Sequence, residues 1–124
     1  MSSKNEIEFS KKDFSLVEQT DEYKYVEFEN IDAEVKTLHI FLDNVTDGTK
    51  YEVFYTDETS SGFRYLGTKN YAKNVWKSTY LDTYLSGKSN KMGIKIYDPN
   101  ASIEKININE KIPFEFNIYR FIIL

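Results

Sequence analysis

The chain has 124 residues, a formal net charge of −4 and no cysteine. This length indicates one domain with one hydrophobic core. Lysines and glutamates are interspersed without a basic stripe, which argues against binding to a nucleic-acid backbone. The lack of cysteine excludes disulfides, thiolate metal sites and cysteine nucleophiles.

Aromatic and β-branched residues favour strands in this sequence, which holds ten Tyr, nine Phe and one Trp. Ile103 is out of phase with Ile106 and Ile108, which predicts a β-bulge near Glu104 and Lys105. Elsewhere apolar and polar residues alternate, which is the pattern of half-buried strands. In chain order, the clearest alternating segments are residues 25–29, 37–42, 51–56 and 92–97.

Turn-forming residues separate these segments. The turn at residues 44–48 contains Asp47-Gly48, which supplies a positive-φ position. Strands spaced about ten residues apart, without helical stretches between them, predict an all-β fold: an antiparallel β-sandwich or jelly roll. The segment 67–85 fits this pattern poorly, and we expect an irregular loop followed by a strand there. Further turns are predicted at residues 59–62, 98–100 and 109–111.

The sequence offers little for catalysis. Its one histidine, His39, lies in the middle of a predicted strand, without a serine nucleophile pattern nearby. Metal-binding histidine motifs, a calcium loop and a glycine-rich phosphate loop are absent from the sequence. We therefore expect a domain that is not an enzyme and uses no cofactor and no metal ion.

Aromatic residues are dense in the middle of the chain and lie beside polar residues. An aromatic ring can stack on the C–H face of a sugar while neighbouring polar groups bind the hydroxyls, which is the general layout of a small-ligand site. In a second interpretation, the same rings build the core of the sandwich. The candidate ligand-binding residues are Arg64, Tyr65, Tyr71, Trp76 and Tyr80.

The segment 91–109 reads KMGIKIYDPNASIEKININ, in which an Ile-Tyr-Asp-Pro strand end leads through a tight turn to an Ile-x-x-Ile-x-Ile strand. It resembles the closing hairpin of galactose-binding-domain-like jelly rolls, a superfamily that includes carbohydrate-binding modules and discoidin-type domains. Residues 25–29, 35–42 and 52–57 resemble earlier strands of that fold. The resemblance implies that the partner is a glycan and that residues 60–84 lie near the ligand end.

The tail, residues 112–124, reads IPFEFNIYRFIIL. It begins as an alternating strand and ends as a continuous apolar run. It resembles the exit from such a sandwich into a membrane helix, as in bacterial multi-pass glycosyltransferase-like proteins with a β-sandwich ectodomain. In that interpretation Tyr119 and Arg120 are the interfacial aromatic and the snorkelling cation, and the membrane anchor follows Leu124. Alternatively, the tail is a buried terminal strand.

Two functional hypotheses follow. In the first, residues 1–124 form one non-catalytic sandwich domain that recognises a glycan as an extracellular or cell-envelope accessory part of a larger bacterial membrane or surface protein. Residues 1–5 are then a disordered start, and residues 119–124 begin a membrane segment. In the second, the domain is a structural or protein-interaction unit without a small ligand, as in a membrane complex or a phage particle. A cytoplasmic location is the alternative to an extracellular one.

Overall fold

The alternating segments form strands in a computed structural model of the protein, which describes residues 6–33, 35–57, 62–71, 79–82 and 89–110. A short 3-10 helix, Lys11–Asp13, joins the first two strands. In chain order, the strands within these residues are β1 Glu6–Ser10, β2 Ser15–Gln19, β3 Lys24–Ala33, β4 Val35–Asp43, β5 Lys50–Asp57, β6 Arg64–Asn70, β7 Thr79–Asp82, β8 Ser89–Ile96 and β9 Ser102–Glu110.

The strands form two antiparallel sheets that share one core. The four-stranded sheet has the order β1-β9-β4-β7, and the five-stranded sheet has the order β2-β3-β8-β5-β6. The core forms between the sheets from inward-facing apolar residues of β1, β3, β4, β5, β8 and β9, which alternate with outward-facing ones along each of these strands. The predicted antiparallel sandwich is confirmed. Fully buried core side chains from both sheets include Leu38, Ile40, Tyr51, Val53, Met92, Ile94, Ile96, Ile106 and Ile108.

Two predicted turns carry the chain from one sheet to the other. β4 and β9 belong to the four-stranded sheet, whereas β5 and β8 belong to the five-stranded sheet. The segment 91–109 is therefore not a hairpin, and that part of the prediction was wrong: β8 pairs with β3 and β5, and β9 pairs with β1 and β4. Alternation around a turn looks the same whether the next strand pairs back or crosses over, so the sequence pattern could not separate the two.

Two local predictions are confirmed. Phe41 lies opposite Lys105, but Leu42 lies opposite Ile103, so Glu104 is the extra residue of a bulge. The bulge brings Ile103 back into the core, where its side chain is buried. Gly48 has φ +85°, as the turn between β4 and β5 requires.

Other local expectations were wrong. Asn109 and Glu110 continue β9 instead of forming a turn, because they pair with Thr37 and Val35 of β4. Residues 67–70 belong to β6 rather than to an irregular loop. The strand expected later in that segment is present as β7. β1 and β2 were not predicted, although residues 6–10 alternate between polar and apolar; residues 15–19 show no such alternation.

Several expectations fall outside the described residues. These are the disordered start at residues 1–5, the turn residues 59–61, Trp76 and the tail from residue 111. Over the part of the chain that is described, no helix is long and apolar enough to cross a membrane.

The first prediction concerns the core. Leu38 has no exposed surface, whereas the side chain of Leu16 is 57% exposed on the edge strand β2. Leu38→Ala is expected to lower the free energy of unfolding by about 2–5 kcal/mol, because it removes buried methyl groups and leaves a cavity. The matched variant Leu16→Ala should change it by no more than about 0.5 kcal/mol. Urea denaturation measures both, and equal losses would contradict this assignment of the core.

Candidate functional site

The outer face of the five-stranded sheet carries a cluster of aromatic rings. Strand alternation turns Tyr25 of β3, Gly93 of β8 and Phe54 of β5 away from the core, because the residues that flank them along the chain point inward. Gly93 lies opposite Phe54 on one side and Glu27 on the other. Tyr65 of β6 lies opposite Phe54. Four adjacent strands thus place these side chains side by side.

Gly93 lets the ring of Tyr25 lie close to the sheet. A Cβ atom at position 93 would stand 2.1 Å from the Tyr25 Oη and 2.7 Å from its Cζ. Such a contact is impossible, so the ring occupies the space that any other residue at position 93 would fill. Tyr25 therefore covers the backbone of the central strand β8 instead of standing upright on β3.

The neighbouring rings extend this surface towards β6. The ring centres of Tyr25 and Phe54 are 6.2 Å apart, and those of Phe54 and Tyr65 are 5.8 Å apart. The side chains of Tyr65 and Phe63 are 57% and 38% exposed. We call Tyr25, Phe54, Phe63 and Tyr65 the aromatic platform. Exposed rings at these separations keep solvent-facing edges and faces on which a ligand can pack.

Charged side chains form one border of the platform. Glu27 accepts a hydrogen bond from the Tyr25 hydroxyl at 2.9 Å, and its other oxygen lies 3.5 Å from Lys91 Nζ. Burial and this hydrogen bond raise the pKa of Tyr25, so its hydroxyl stays protonated. Lys91 Nζ also lies 5.8 Å from the ring centre of Phe63. Glu27 thus fixes the orientation of both Tyr25 and Lys91.

Lys95 occupies the opposite border. Its Nζ lies 4.1 Å from the ring centre of Tyr23 and 5.2 Å from that of Tyr97. The Tyr23 hydroxyl donates to Glu18 at 2.6 Å, and the Tyr97 hydroxyl donates to Glu52 at 2.7 Å. A hollow of about 270 Å³ opens between this border and the platform, lined by Glu18, Tyr23, Tyr25, Phe54, Phe63 and Lys95.

The predicted site residues that the structure describes, Arg64, Tyr65, Tyr71 and Tyr80, do not come together. Tyr65 belongs to the platform, but Arg64, its neighbour on β6, lies opposite Tyr55, and alternation places it on the other side of the strand. There the Arg64 Nε lies 3.6 Å from Asp57. Tyr80 lies on β7 of the other sheet, opposite His39 in the register. Trp76 is outside the described residues, so its role stays a prediction.

Tyr71 is part of the core, which corrects its assignment as a ligand contact. Its side chain is 1% exposed. The Leu42 backbone N–H donates to the Tyr71 hydroxyl at 3.2 Å, and the hydroxyl lies 3.4 Å from the Leu42 carbonyl. Burial raises the pKa of this hydroxyl. Because Tyr71 follows β6 and Leu42 belongs to β4, the side chain links the two sheets.

Sequence reasoning missed three members of the platform, although a signal for two of them was present. Tyr25 alternates with Val26 and Phe28, which placed it on the face opposite the core. Phe54 alternates with Val53 and Tyr55 in the same way. The sequence does not show that Tyr25 and Phe54 lie on the two strands next to Gly93, because the alternation of apolar and polar residues does not determine the strand order. Among the described residues, no group of His, Asp or Glu could hold a metal ion.

Solved structures match this chain, whereas no protein-family model and no curated protein does. The C-terminal CBM6 of LamC, a marine laminarinase from Zobellia galactanivorans, matches with a TM-score of 0.58 and 11% identity, over 86% of this chain and 100% of that one. CsCBM6-3 from Clostridium stercorarium, in complex with cellobiose, matches with a TM-score of 0.57 and 5% identity, over 85% and 94%. The low-affinity xylan-binding module CBM86 from Roseburia intestinalis matches with a TM-score of 0.52 and 12% identity, over 86% and 96%.

At these identities the likeness establishes the fold, which is the β-sandwich of carbohydrate-binding modules. None of the three is described as a membrane glycosyltransferase, so that part of the sequence resemblance gains no support.

The second prediction concerns Tyr71. Tyr71→Phe is expected to lower the free energy of unfolding by about 1–3 kcal/mol, because the buried N–H of Leu42 loses its acceptor. Tyr65→Phe is the matched control: its hydroxyl is exposed and contacts Thr68, and water can replace that partner. Thermal or urea unfolding checks both. A neutral Tyr71→Phe would mean that the hydroxyl does not contribute to the link between the sheets.

The third prediction concerns the contact between Gly93 and Tyr25. Gly93→Ala is expected to cost about 1–3 kcal/mol of stability, because the new methyl group occupies the position of the ring. In a Tyr25→Ala background the same change should cost far less, since the ring is gone. The double-mutant cycle, measured by urea unfolding, gives the coupling energy. Additive losses would contradict the close contact.

Proposed function

We propose that this chain is a non-catalytic domain that recognises a carbohydrate on the outer face of its five-stranded sheet. The observation that carries the proposal is the platform itself: Tyr25 lies over Gly93, and Phe54, Phe63 and Tyr65 continue the surface. A sugar ring has C–H faces that pack on such rings and hydroxyls that need polar partners at the rim. The described site offers aromatic rings for the C–H faces of the sugar, and carboxylates and lysines for its hydroxyls.

The charges at the site favour a neutral ligand. Glu18 and Glu27 lie at the same borders as Lys95 and Lys91, so positive and negative groups alternate around the rings. This arrangement creates no net field that would draw a phosphate or another strong anion. It does supply donors and acceptors within reach of hydroxyl groups. The ligand class that needs both kinds of partner without net charge is a polyhydroxylated, uncharged one.

The fold supports the same proposal by analogy. Solved structures with this architecture include a module in complex with cellobiose and one that binds xylan. Analogy of fold alone does not determine function, so the proposal rests on the platform and uses the analogy to choose test ligands. We further propose that the domain acts outside the cell, as an accessory part of a larger protein. The parent protein and its anchoring to a membrane stay predictions from the sequence.

The fourth prediction is glycan binding that depends on the platform. Titration calorimetry with a panel of cello-, xylo- and laminari-oligosaccharides, preceded by a glycan array, is expected to find at least one ligand. Tyr65→Ala and Phe54→Ala should each weaken its binding about tenfold or more, equivalent to about 1.4 kcal/mol. The matched control is Phe41→Ala, because Phe41 is an aromatic residue of the four-stranded sheet, away from the platform. Its ring centre lies 4.9 Å from that of His39 on the same strand.

Three outcomes decide the matter. Weakened binding in the two platform variants, with the control unchanged and all three proteins folded, supports the proposal. Equal weakening in all three would place the ligand elsewhere. No binding to any glycan by a folded wild-type domain would contradict the proposal.

One observation favours the second candidate function, a protein-interaction domain. β2 is an edge strand whose five residues are all exposed, including Leu16 and Val17 at 57% and 54%. Register shifts between Leu16 and Glu18, so Val17 is an extra residue of a bulge. The bulge interrupts the regular edge, so the exposed side chains of Leu16 and Val17, rather than an added strand, are the contacts that β2 offers to another chain. Absence of glycan binding together with self-association in sedimentation experiments would favour this function over the first.

A further inference from the structure

A second hollow adjoins the aromatic platform on the same outer face. Its volume is about 410 Å³, larger than that of the hollow beside Lys95. No ring of the platform lines it. We call it the polar cleft; its lining residues are Lys12, Asp13, Ser15, Glu27, Phe28, Glu29, Asn30 and Lys91.

The platform and the polar cleft are continuous along β3. Glu27 and Lys91 line the cleft, and they also contact the platform residues Tyr25 and Phe63. Tyr25 and Glu29 both face outward and are four residues apart, which corresponds to about 13 Å along a strand. This length exceeds a single sugar ring. The pair formed by Glu27 and Lys91 is thus the shared boundary of two neighbouring hollows.

The far end of the cleft is formed by an irregular part of β3. Asn30 has φ +67° and Asp32 has φ +44°, and the pairing with β8 shifts register between Glu29 and Ala33. The chain therefore turns away from the regular strand at Asn30. Glu29 and Asn30 are exposed, and within the described residues no hydrogen bond or ion pair holds their side chains. Their polar atoms are available to a ligand in the cleft.

We infer that the platform and the polar cleft form one groove for a linear, uncharged glycan, which stacks one sugar on the platform and hydrogen-bonds the following sugars in the cleft. The inference rests on the proposed function and extends it to ligand length. The two parts of the groove differ in their lining: the platform consists of aromatic rings, whereas the cleft has carboxylates, lysines, an amide and a hydroxyl around the buried ring of Phe28. A site for a single terminal sugar would use the platform alone.

The test compares short and long ligands on two variants. Titration calorimetry uses the disaccharide and the hexasaccharide of the β-1,4-glucan and β-1,3-glucan series. In whichever series binds, the hexasaccharide should bind the wild-type domain more than tenfold tighter than the disaccharide. The double variant Glu29→Gln, Asn30→Gly should lose most of this gain and keep its disaccharide affinity, because these residues line the far end of the cleft, beyond a second sugar at Glu27 and Lys91. Glycine is chosen at position 30 because it tolerates the positive φ. Glu104→Gln, at the exposed bulge of β9, is the matched control and should bind as the wild type does.

The double variant distinguishes two causes of tighter binding by the longer glycan: direct contacts in the cleft, and a statistical gain in affinity. A longer glycan offers more registers to a short site, and that gain would survive in the double variant. A gain that persists in the double variant, or equal affinity of both ligands for the wild type, overturns the inference and leaves the proposed function intact. Weakening of both ligands by the same factor in the double variant also overturns it. No binding of any of the four ligands by the folded wild type would contradict the inference, and binding of an unrelated glycan on the array would then still support the proposed function.

Discussion

The outer face of the five-stranded sheet depends on the missing side chain at Gly93. Gly93 lies on β8, the central strand of that sheet. Met92 and Ile94, which flank Gly93 along the chain, are fully buried on the inner side. Any side chain at position 93 would force the Tyr25 ring away from β8. A ring laid over a strand glycine also restores the packing that the glycine lacks, so part of this contact stabilises the sheet itself. The structural role and the binding role use the same geometry.

Two members of the platform, Tyr25 and Phe54, are held in place by the sheet without a ligand. Tyr25 and Phe54 lie on β3 and β5, which flank the central strand and are paired on both sides. The Tyr25 hydroxyl is held by Glu27, which also pairs with Lys91. Binding to side chains that are already ordered costs less conformational entropy than binding to mobile loops. A weakly interacting ligand such as an uncharged sugar benefits most, because each of its contacts contributes little.

Sequence alone predicted the core side of this fold better than the ligand side. Alternation around Val26, Leu38, Val53 and Ile94 identifies inward residues because one face of each strand must be apolar. It also placed Tyr25 outward, yet the predicted site residues came from the aromatic-rich middle of the chain. That choice failed for Tyr71, whose hydroxyl bonds the backbone of a strand in the other sheet. Density of aromatics along the chain does not report which strands become neighbours.

The chain crosses between the two sheets at two turns, which explains why the alternation of apolar and polar residues could not predict the strand order. The turns at Gly48 and at residues 98–100 have the residues of hairpin turns, but each leads to a strand in the opposite sheet. The residues of a turn determine that the chain reverses direction, but they do not determine which strand the next strand pairs with. That pairing depends on how the apolar residues of the whole domain are buried. The same crossings make β8 central and leave β2 and β6 as edges of the five-stranded sheet. A groove on this face that follows β3 is therefore bounded by the central strand β8 on one side and by the edge strand β2 on the other.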